Sequence, residues 1–293
     1  PLALRLLLMK LDKSLNILIV GLGLLGGSYA MALKKQGYKV NALTLEQKSI
    51  DFALQNGLID GGSTEIDPEI IGNSDLVIFA LYPHIFTKWI KENQQHFKSG
   101  AIITDVTGVK GCIVYEIQNM LRDDVEFIAA HPMAGREVSG VENSDDSIFE
   151  GANYIVVPTD KNTDGAVELC KHLGEVLGFA DISVLSPEAH DEMIAFLSQL
   201  THCIAVSLMC ANDDPDMIRY TGDSFRDLTR IAKINDEMWS ELFIANRPAL
   251  LREMNRYRRS FELLYEYIAI GDRDGIRNMM KLSTKRRKAF ERK

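Results

Sequence analysis

The segment over residues 21–26 constrains the fold of this chain more than any other. It reads Gly-Leu-Gly-Leu-Leu-Gly, follows the apolar run of residues 16–20 and opens a predicted helix over residues 27–36. In that context the glycines permit a tight turn, a close approach of backbone to pyrophosphate, and close packing of helix on strand. The helix N-terminus then faces the phosphates. The segment therefore predicts a dinucleotide-binding turn formed by Gly21, Leu22, Gly23, Leu24, Leu25 and Gly26.

Apolar, β-branched runs recur through the first half of the chain. They cover residues 16–20, 39–43, 76–80, 101–104, 127–130 and 154–157. Such runs are typical of strands buried on both faces of a parallel sheet. Because segments long enough for a crossover helix separate them, we expect an α/β fold, with a Rossmann-type doubly wound sheet over residues 16–183.

The second half has helical periodicity instead. Helices are predicted over residues 188–212, 224–233 and 237–269, with a last one after Asp272. Ser186, Pro187 and Glu188 have the pattern of an N-cap, a first-turn proline and a first-turn acid. We expect an all-helical substrate and dimerisation domain over residues 184–293, forming a homodimer. Residues 1–15 are assigned to an N-terminal extension, of which residues 1–8 precede Met9 and are expected to be upstream sequence.

The length and composition of the chain limit which binding partners and which cellular location we expect. At 293 residues two domains are expected, and a net charge of −8 provides no field for gathering nucleic acid or an anionic membrane surface. The opening apolar stretch is too short to span a bilayer and lacks the features of a secretory signal. The four cysteines have no metal-ligand spacing, so we expect reduced thiols, no metal and a cytoplasmic location.

The choice between the two nicotinamide cofactors depends on the end of the second strand. An NAD site usually has an acidic residue there, about 20 residues after the glycine turn, to bind the adenosine 2′-hydroxyl. Here the strand ends in Thr44, with Glu46 and Lys48 nearby. A threonine does not repel a 2′-phosphate as a carboxylate does. NAD is expected, and NADP stays possible.

Three further clusters follow the glycine turn in order. They read Thr-Asp-Val-Thr-Gly-Val-Lys over residues 104–110, His-Pro-Met-Ala-Gly-Arg-Glu over residues 131–137, and Phe-Arg-Asp-Leu-Thr-Arg-Ile-Ala over residues 225–232. Together the four clusters resemble the prephenate dehydrogenase family, across residues 16–270. The resemblance implies oxidative decarboxylation of prephenate to 4-hydroxyphenylpyruvate in tyrosine biosynthesis, with hydride transfer to NAD(P)+.

His131 is the candidate catalytic residue. It ends a predicted buried strand, and ligands of an open parallel sheet bind at the carboxyl ends of the strands. An imidazole that titrates near neutrality suits removal of a proton from an alcohol as hydride leaves. The resemblance implies that His131 bonds the ring hydroxyl of prephenate.

Candidate substrate-binding residues lie in the helical half. Arg230 is three residues from Asp227 on a predicted helix, and a planar guanidinium is well matched to a carboxylate. The resemblance implies that Arg230 holds the ring carboxylate while Asp227 orients it. Ser198 and His202 are four residues apart on an apolar helix, where polar groups must be paired or face a cavity. The resemblance places His202 at the pyruvyl end of the substrate. The alternative, that His202 is a hydrogen-bonded histidine of the protein core, stays open.

The remaining site residues come from the resemblance alone. Trp239 matches an aromatic position near the active-site wall, and Glu137 matches an acid that can close the site or respond to pH. The cofactor-binding residues are further expected to include Ala80, Tyr82, Pro83, Asp105, Thr107 and Lys110, the last ending a loop between nicotinamide and substrate.

One cluster departs from the family pattern. Many relatives have a Gly-Ser pair where this chain has Thr107 and Gly108. The serine hydroxyl is therefore either moved to Thr107 or lost.

The role of His190 is left open by the sequence. It lies beside Asp191 in the first turn of its helix, where a capping, a packing or a catalytic role is possible.

Three alternatives are open at this point. Arogenate, which carries an ammonium where prephenate has a ketone, is the alternative substrate. Two-domain β-hydroxyacid dehydrogenases and pyrroline-carboxylate-type reductases share the architecture, but they use a helical-domain lysine whose motif this chain lacks. A non-catalytic dinucleotide-sensing module would need neither His131 nor Arg230.

Overall fold

A computed structural model describes residues 11–136 and 138–290. Residues 1–10, Glu137 and residues 291–293 lie outside the described residues, so the predicted roles of Glu137 and of the first eight residues stay predictions.

The first half is built on a parallel sheet of six strands in the order β3-β2-β1-β4-β5-β6. The bounds are β1 Asn16–Val20, β2 Lys39–Leu43, β3 Gly61–Ser63, β4 Leu76–Phe79, β5 Ile102–Asp105 and β6 Glu126–Phe127. Apolar clusters cover both faces of this sheet, as buried parallel strands require. The predicted Rossmann-type sheet is confirmed. The sequence did not predict β3, because its residues are Gly-Gly-Ser and carry no apolar signal.

Six helices accompany the strands of the first half. They are α1 Leu24–Lys35, α2 Gln47–Gln55, α3 Pro68–Gly72, α4 Pro83–Asn93, α5 Val114–Met120 and α6 Asp164–Leu177. Helix α1 begins directly at the glycine turn and has no acidic residue in its first turn. Its positive end therefore lies beside the carboxyl end of β1, where an anion is stabilised.

The predicted strand over residues 127–130 is wrong as a single element. The chain leaves the parallel sheet at Ile128 and continues as β7 (Ala129–Pro132), which pairs antiparallel with β8 (Asn153–Val157). Strand β9 (Asp181–Val184) completes this second sheet. The reason is visible at Ala130, whose N–H donates to Asp105 Oδ1 and whose carbonyl accepts from Lys110 Nζ. The buried ion pair of Asp105 and Lys110 thus takes the backbone hydrogen bonds that a neighbouring parallel strand would otherwise make with Ala130.

The second half is helical, as predicted. It contains α7 (Pro187–Ile194), a π-helical turn (Ala195–Gln199), α8 (Leu200–Cys210), α9 (Asp223–Thr229), α10 (Asp236–Ala245), α11 (Arg247–Ala269) and α12 (Arg273–Arg287). The Ser186 hydroxyl caps α7 by accepting the Ala189 N–H at 3.2 Å. The predicted helix over residues 237–269 is interrupted at Asn246, whose side chain bonds Asp191 O and Gln199 Oε1.

The segment Pro187–Cys210 is long and apolar enough to cross a membrane by length and composition alone. Core and interface helices of globular proteins meet the same criterion. Its buried positions include His190, Asp191 and Gln199, each hydrogen-bonded inside the protein. These partners indicate a helix that packs within a globular fold.

The first described residues pack against the sheet domain. Leu11 is buried in the apolar cluster, its N–H donates to His172 Nδ1, and its carbonyl accepts from the Tyr38 hydroxyl. Leu11 therefore packs in the core of the sheet domain, and the predicted boundary at residue 16 stays a prediction.

Candidate active site

The glycine turn has the geometry that a dinucleotide requires. Gly21 has a φ of 99°, and a Cβ at Gly26 would lie 1.9 Å from the Gly21 carbonyl oxygen, so strand and helix meet too closely for any side chain. A Cβ at Gly23 would instead meet nothing within 4 Å. Gly23 thus leaves open space before the first amides of α1, where a pyrophosphate fits.

The region that would hold the adenosine is less restrictive. Thr44 follows β2 directly, and its N–H donates to the Ser63 carbonyl. Glu46 lies near it and is paired with Lys48 at 3.2 Å, both side chains being largely exposed. The position usually occupied by an acid carries a neutral hydroxyl, so the geometry accommodates NAD or NADP.

The next strand ends supply the other predicted cofactor contacts. Ala80 follows β4, and its carbonyl oxygen would lie 2.5 Å from a Cβ at Gly21. Tyr82 precedes Pro83 at the start of α4, and its hydroxyl accepts from Asn235 Nδ2 at 3.3 Å. These three residues therefore line the same edge of the sheet as the glycine turn.

Asp105, Thr107 and Lys110 form a buried cluster behind that edge. Lys110 Nζ bonds Asp105 Oδ2 at 2.7 Å, Thr107 Oγ1 at 3.1 Å and Ala130 O at 2.6 Å, and the Thr107 hydroxyl donates to Asp105. Burial lowers the pKa of Lys110, while the Asp105 carboxylate acts in the opposite direction. The three side chains are buried in the interior. That these residues bind the cofactor stays a prediction.

His131 is held by a second histidine. Its Nδ1 lies 2.9 Å from His190 Nε2, and His190 Nδ1 lies 2.8 Å from Asp191 Oδ1. His131 sits in β7, partly buried, whereas the His190 side chain is fully buried. The pKa of His131 lies well below its ordinary value because burial disfavours the imidazolium and because His190 and Lys110 oppose a further positive charge. The ring is neutral at physiological pH, as a base must be.

The other ring nitrogen of His131 lies beside Gly108. A Cβ at Gly108 would be 3.9 Å from His131 Nε2 and 3.6 Å from Leu242 Cδ1. The Thr107 hydroxyl donates to Asp105 and so is turned into the interior. Whether the hydroxyl contact of the family is moved or lost stays a prediction.

The helical half contributes an aromatic wall. The rings of His202 and Trp239 stack with centroids 3.7 Å apart, and His202 Nδ1 donates to the Ser198 carbonyl at 2.9 Å. Ser198 lies in the π-helical turn, a distortion that often occurs at functional sites. The structure thus brings Ser198, His202 and Trp239 together, and their contact with substrate stays a prediction.

Arg230 begins a 3-10 turn, Arg230–Ala232, that packs against α8, the helix carrying His202. Asp227 lies in α9 one turn earlier and is exposed. Their proposed roles in holding a carboxylate stay predictions.

The nucleotide-binding and helical halves meet at this site. Glu241 of α10 accepts both the backbone N–H and the imidazole Nδ1 of His84, at 2.9 and 2.7 Å. Sequence reasoning missed Glu241 and the contacts of Asp191 with Lys110 and Gly111, because contacts between residues 80 or more positions apart leave no local pattern. The His190-Asp191 dipeptide at the start of a capped helix was the only local signal.

Comparison with known proteins decides the family. A profile described as "Prephenate dehydrogenase, nucleotide-binding domain" matches residues 29–180, which is over half of the chain, and one described as "Prephenate dehydrogenase, dimerization domain" matches residues 186–282. The chain belongs to the prephenate dehydrogenase family. Members of this family are NAD(P)-dependent oxidoreductases, and this chain is one of them.

Individual relatives agree with this family. Prephenate dehydrogenase of Lactococcus lactis subsp. cremoris is 30% identical over 290 residues, which cover 94% of this chain and 77% of that protein. A crystal structure of Aquifex aeolicus prephenate dehydrogenase, in complex with hydroxyphenyl propionate and NAD+, is 30% identical with a TM-score of 0.88 and covers 96% of this chain and 100% of that one. Synechocystis arogenate dehydrogenase shares the fold, at 23% identity and a TM-score of 0.81. The match covers 94% of this chain and 99% of that one.

Two glycine variants separate the structural and binding roles of the turn. Gly26→Ala should lower the free energy of unfolding by about 1–3 kcal/mol, because the added methyl overlaps the Gly21 carbonyl. Gly23→Ala should leave unfolding unchanged and weaken NAD(P) binding, because its methyl projects into the pyrophosphate space. Chemical denaturation and cofactor titration measure the two effects. Equal losses of stability in both variants would contradict this division of roles.

Proposed function

We propose that this chain converts prephenate to 4-hydroxyphenylpyruvate, with loss of carbon dioxide and transfer of hydride to NAD(P)+, in tyrosine biosynthesis. The observation that carries the proposal is His131, a neutral imidazole at the ligand-binding edge, with Nδ1 bound to His190 and Nε2 directed toward Gly108. This ring is placed to take a proton from an alcohol.

The chemistry of the step matches that arrangement. The ring hydroxyl of prephenate gives its proton to His131 Nε2 as the carbon that bears it gives up hydride. The bond from the ring to its carboxylate then breaks and carbon dioxide leaves. The electron pair moves through the ring to the ketone oxygen, which takes a proton back from the His131 imidazolium and becomes the phenol hydroxyl as the ring becomes aromatic. Bound NAD(P)+ supplies the hydride acceptor.

Prephenate has two carboxylates, which need cationic or hydrogen-bonding side chains to bind them, and the candidates lie in the helical half. Arg230 suits the ring carboxylate because its guanidinium can bind both oxygens in a fixed orientation. His202, stacked on Trp239, suits the pyruvyl end. Arogenate differs from prephenate at that end alone, so the pair His202 and Trp239 is the expected point of discrimination.

We further propose a homodimer through the helical half and a cytoplasmic location. Several large apolar side chains of the helical half are more than half exposed in a single chain, including Ile218, Tyr220, Ile244, Tyr265, Ile268 and Ile270. Burying them against a second copy would remove that surface from water. The four cysteines are free thiols, which supports a reducing compartment.

The direct test of function follows the absorbance of reduced nicotinamide with purified protein. Each of prephenate and arogenate is combined with each of NAD+ and NADP+. Turnover of prephenate with at least one cofactor is expected, together with formation of 4-hydroxyphenylpyruvate and carbon dioxide. Turnover of arogenate but not of prephenate would show that arogenate is the substrate. Inactivity with both compounds would refute the enzymatic function and favour the non-catalytic sensing module.

Two variants distinguish proton transfer from substrate binding. His131→Asn should lower kcat on the order of a hundredfold with little change in KM, since it removes the proton acceptor. Arg230→Gln should mainly raise KM, since it removes a carboxylate partner. Steady-state kinetics with prephenate measure both. The reverse pattern would mean that the two roles have been exchanged.

The pH dependence follows from the pKa of His131. The neutral ring is the active form, and its pKa lies well below the ordinary 6.5. Activity is therefore kept through neutrality and is lost only as the pH falls through that lowered pKa. The acid limb of the kcat/KM profile should lie below pH 6.5 and should be absent in His131→Asn. A limb at or above 6.5 in the wild type would show that His131 is not held neutral.

A further inference from the structure

His190 and Asp191 form a buried relay behind the candidate base. The relay runs from Asp191 Oδ1 to His190 Nδ1 at 2.8 Å, and from His190 Nε2 to His131 Nδ1 at 2.9 Å. The His190 side chain has no exposed surface, and both of its ring nitrogens are used in these two contacts. Among the described residues, the ring of His190 has these two hydrogen bonds, to His131 and to Asp191.

The carboxylate at the start of the relay is fixed by the backbone. Asp191 Oδ1 accepts the Lys110 N–H at 2.9 Å, and Oδ2 accepts the Gly111 N–H at 2.8 Å. Asn246 Nδ2 also donates to the Asp191 carbonyl at 2.8 Å. An ionised carboxylate only accepts hydrogen bonds, so His190 must donate to it from Nδ1.

The proton positions along the relay then follow in order. A neutral His190 with its proton on Nδ1 presents a lone pair at Nε2. His131 must therefore donate from Nδ1, which leaves its own lone pair at Nε2, the nitrogen beside Gly108. The ring nitrogen that would accept the substrate proton is thus specified by a residue of the helical half.

We propose that His190, oriented by Asp191, is a positioning residue for the reaction: it fixes the Nδ1–H tautomer and the orientation of His131, and it stabilises the imidazolium that forms when His131 takes the substrate proton. This inference rests on the proposed function of His131. It assigns a role to a pair that sequence reasoning left open between capping, packing and catalysis.

The charged groups around the two rings favour this arrangement. Lys110 opposes positive charge on both rings, whereas Asp191 and Asp105 favour it on His190. Burial lowers the pKa of His190, as it does that of His131, which favours the neutral form of both imidazoles at rest. When a proton reaches His131, the carboxylate of Asp191 is the nearest compensating charge along the hydrogen-bonded line.

The tautomer can be observed without substrate. Ring-nitrogen NMR of the protein labelled with 15N-histidine distinguishes protonated from unprotonated nitrogens, and the chain has six histidines. Signals of His131 and His190 are assigned by their loss in His131→Asn and His190→Leu. We expect His131 protonated at Nδ1 in the wild type and redistributed toward Nε2 in His190→Leu. A wild-type His131 protonated at Nε2 would overturn the proposal.

Kinetics test the consequence with matched variants. His190→Leu removes the acceptor for His131 Nδ1–H and should lower kcat on the order of a hundredfold, with KM and NAD(P) affinity nearly unchanged. His190→Gln retains an acceptor oxygen and should recover activity to within about tenfold of the wild type. His172→Leu is the control, because His172 accepts the Leu11 N–H and lies outside the relay. It should leave kcat unchanged.

The outcomes separate this proposal from the proposed function. A kcat in His190→Leu equal to that of wild type and of His172→Leu would overturn the relay, and so would His190→Gln no more active than His190→Leu. If the wild type is inactive with prephenate and arogenate, the proposed function fails while the NMR tautomer still tests the relay. Thermal unfolding shows whether His190→Leu folds. If it does not, the tautomer of His131 in the wild type and the kcat of His190→Gln test the proposal.

Discussion

One buried carboxylate connects the two halves of this molecule. Asp191 stands in the first helix of the helical half and accepts two backbone N–H groups from the loop after β5. A buried charge is costly unless its hydrogen bonds are complete, so this contact holds the first helix of the helical half to the sheet in a defined orientation. The same carboxylate bonds His190, which in turn bonds the imidazole of His131. The docking of the two halves and the orientation of His131 thus depend on one carboxylate.

The ion pair of Asp105 and Lys110 has a related consequence. By bonding both the N–H and the carbonyl of Ala130, it detaches β7 from the parallel sheet and lets it pair with β8. His131 is therefore carried on a strand of the second sheet, next to α7, rather than at the end of a seventh parallel strand. The side chains of Asp105, Thr107 and Lys110 thus support the fold here. The glycine turn leaves open space at Gly23.

Much of this arrangement could be predicted from sequence, because local patterns encode it. The glycine turn, β1, β2 and the capped start of α7 follow from periodicity and turn chemistry, and the family follows from four motifs in order. The strand change at Ile128 could not be predicted, since an apolar run looks the same in either sheet. The partnership of His131 with His190 could not be predicted either, because it joins residues 59 positions apart. The orientation of the Thr107 hydroxyl toward Asp105 also needed the structure, because a sequence pattern does not fix a side-chain rotamer.

The proposed proton transfer depends on which ring nitrogen of His131 meets the substrate. A crystal structure with bound cofactor and 4-hydroxyphenylpyruvate tests this most directly, because the product keeps the oxygen that gives up its proton. We expect the phenol oxygen to lie within about 3.2 Å of His131 Nε2 while Nδ1 keeps its hydrogen bond to His190. A phenol oxygen bound elsewhere, or a His131 ring turned so that Nδ1 faces the ligand, would contradict it.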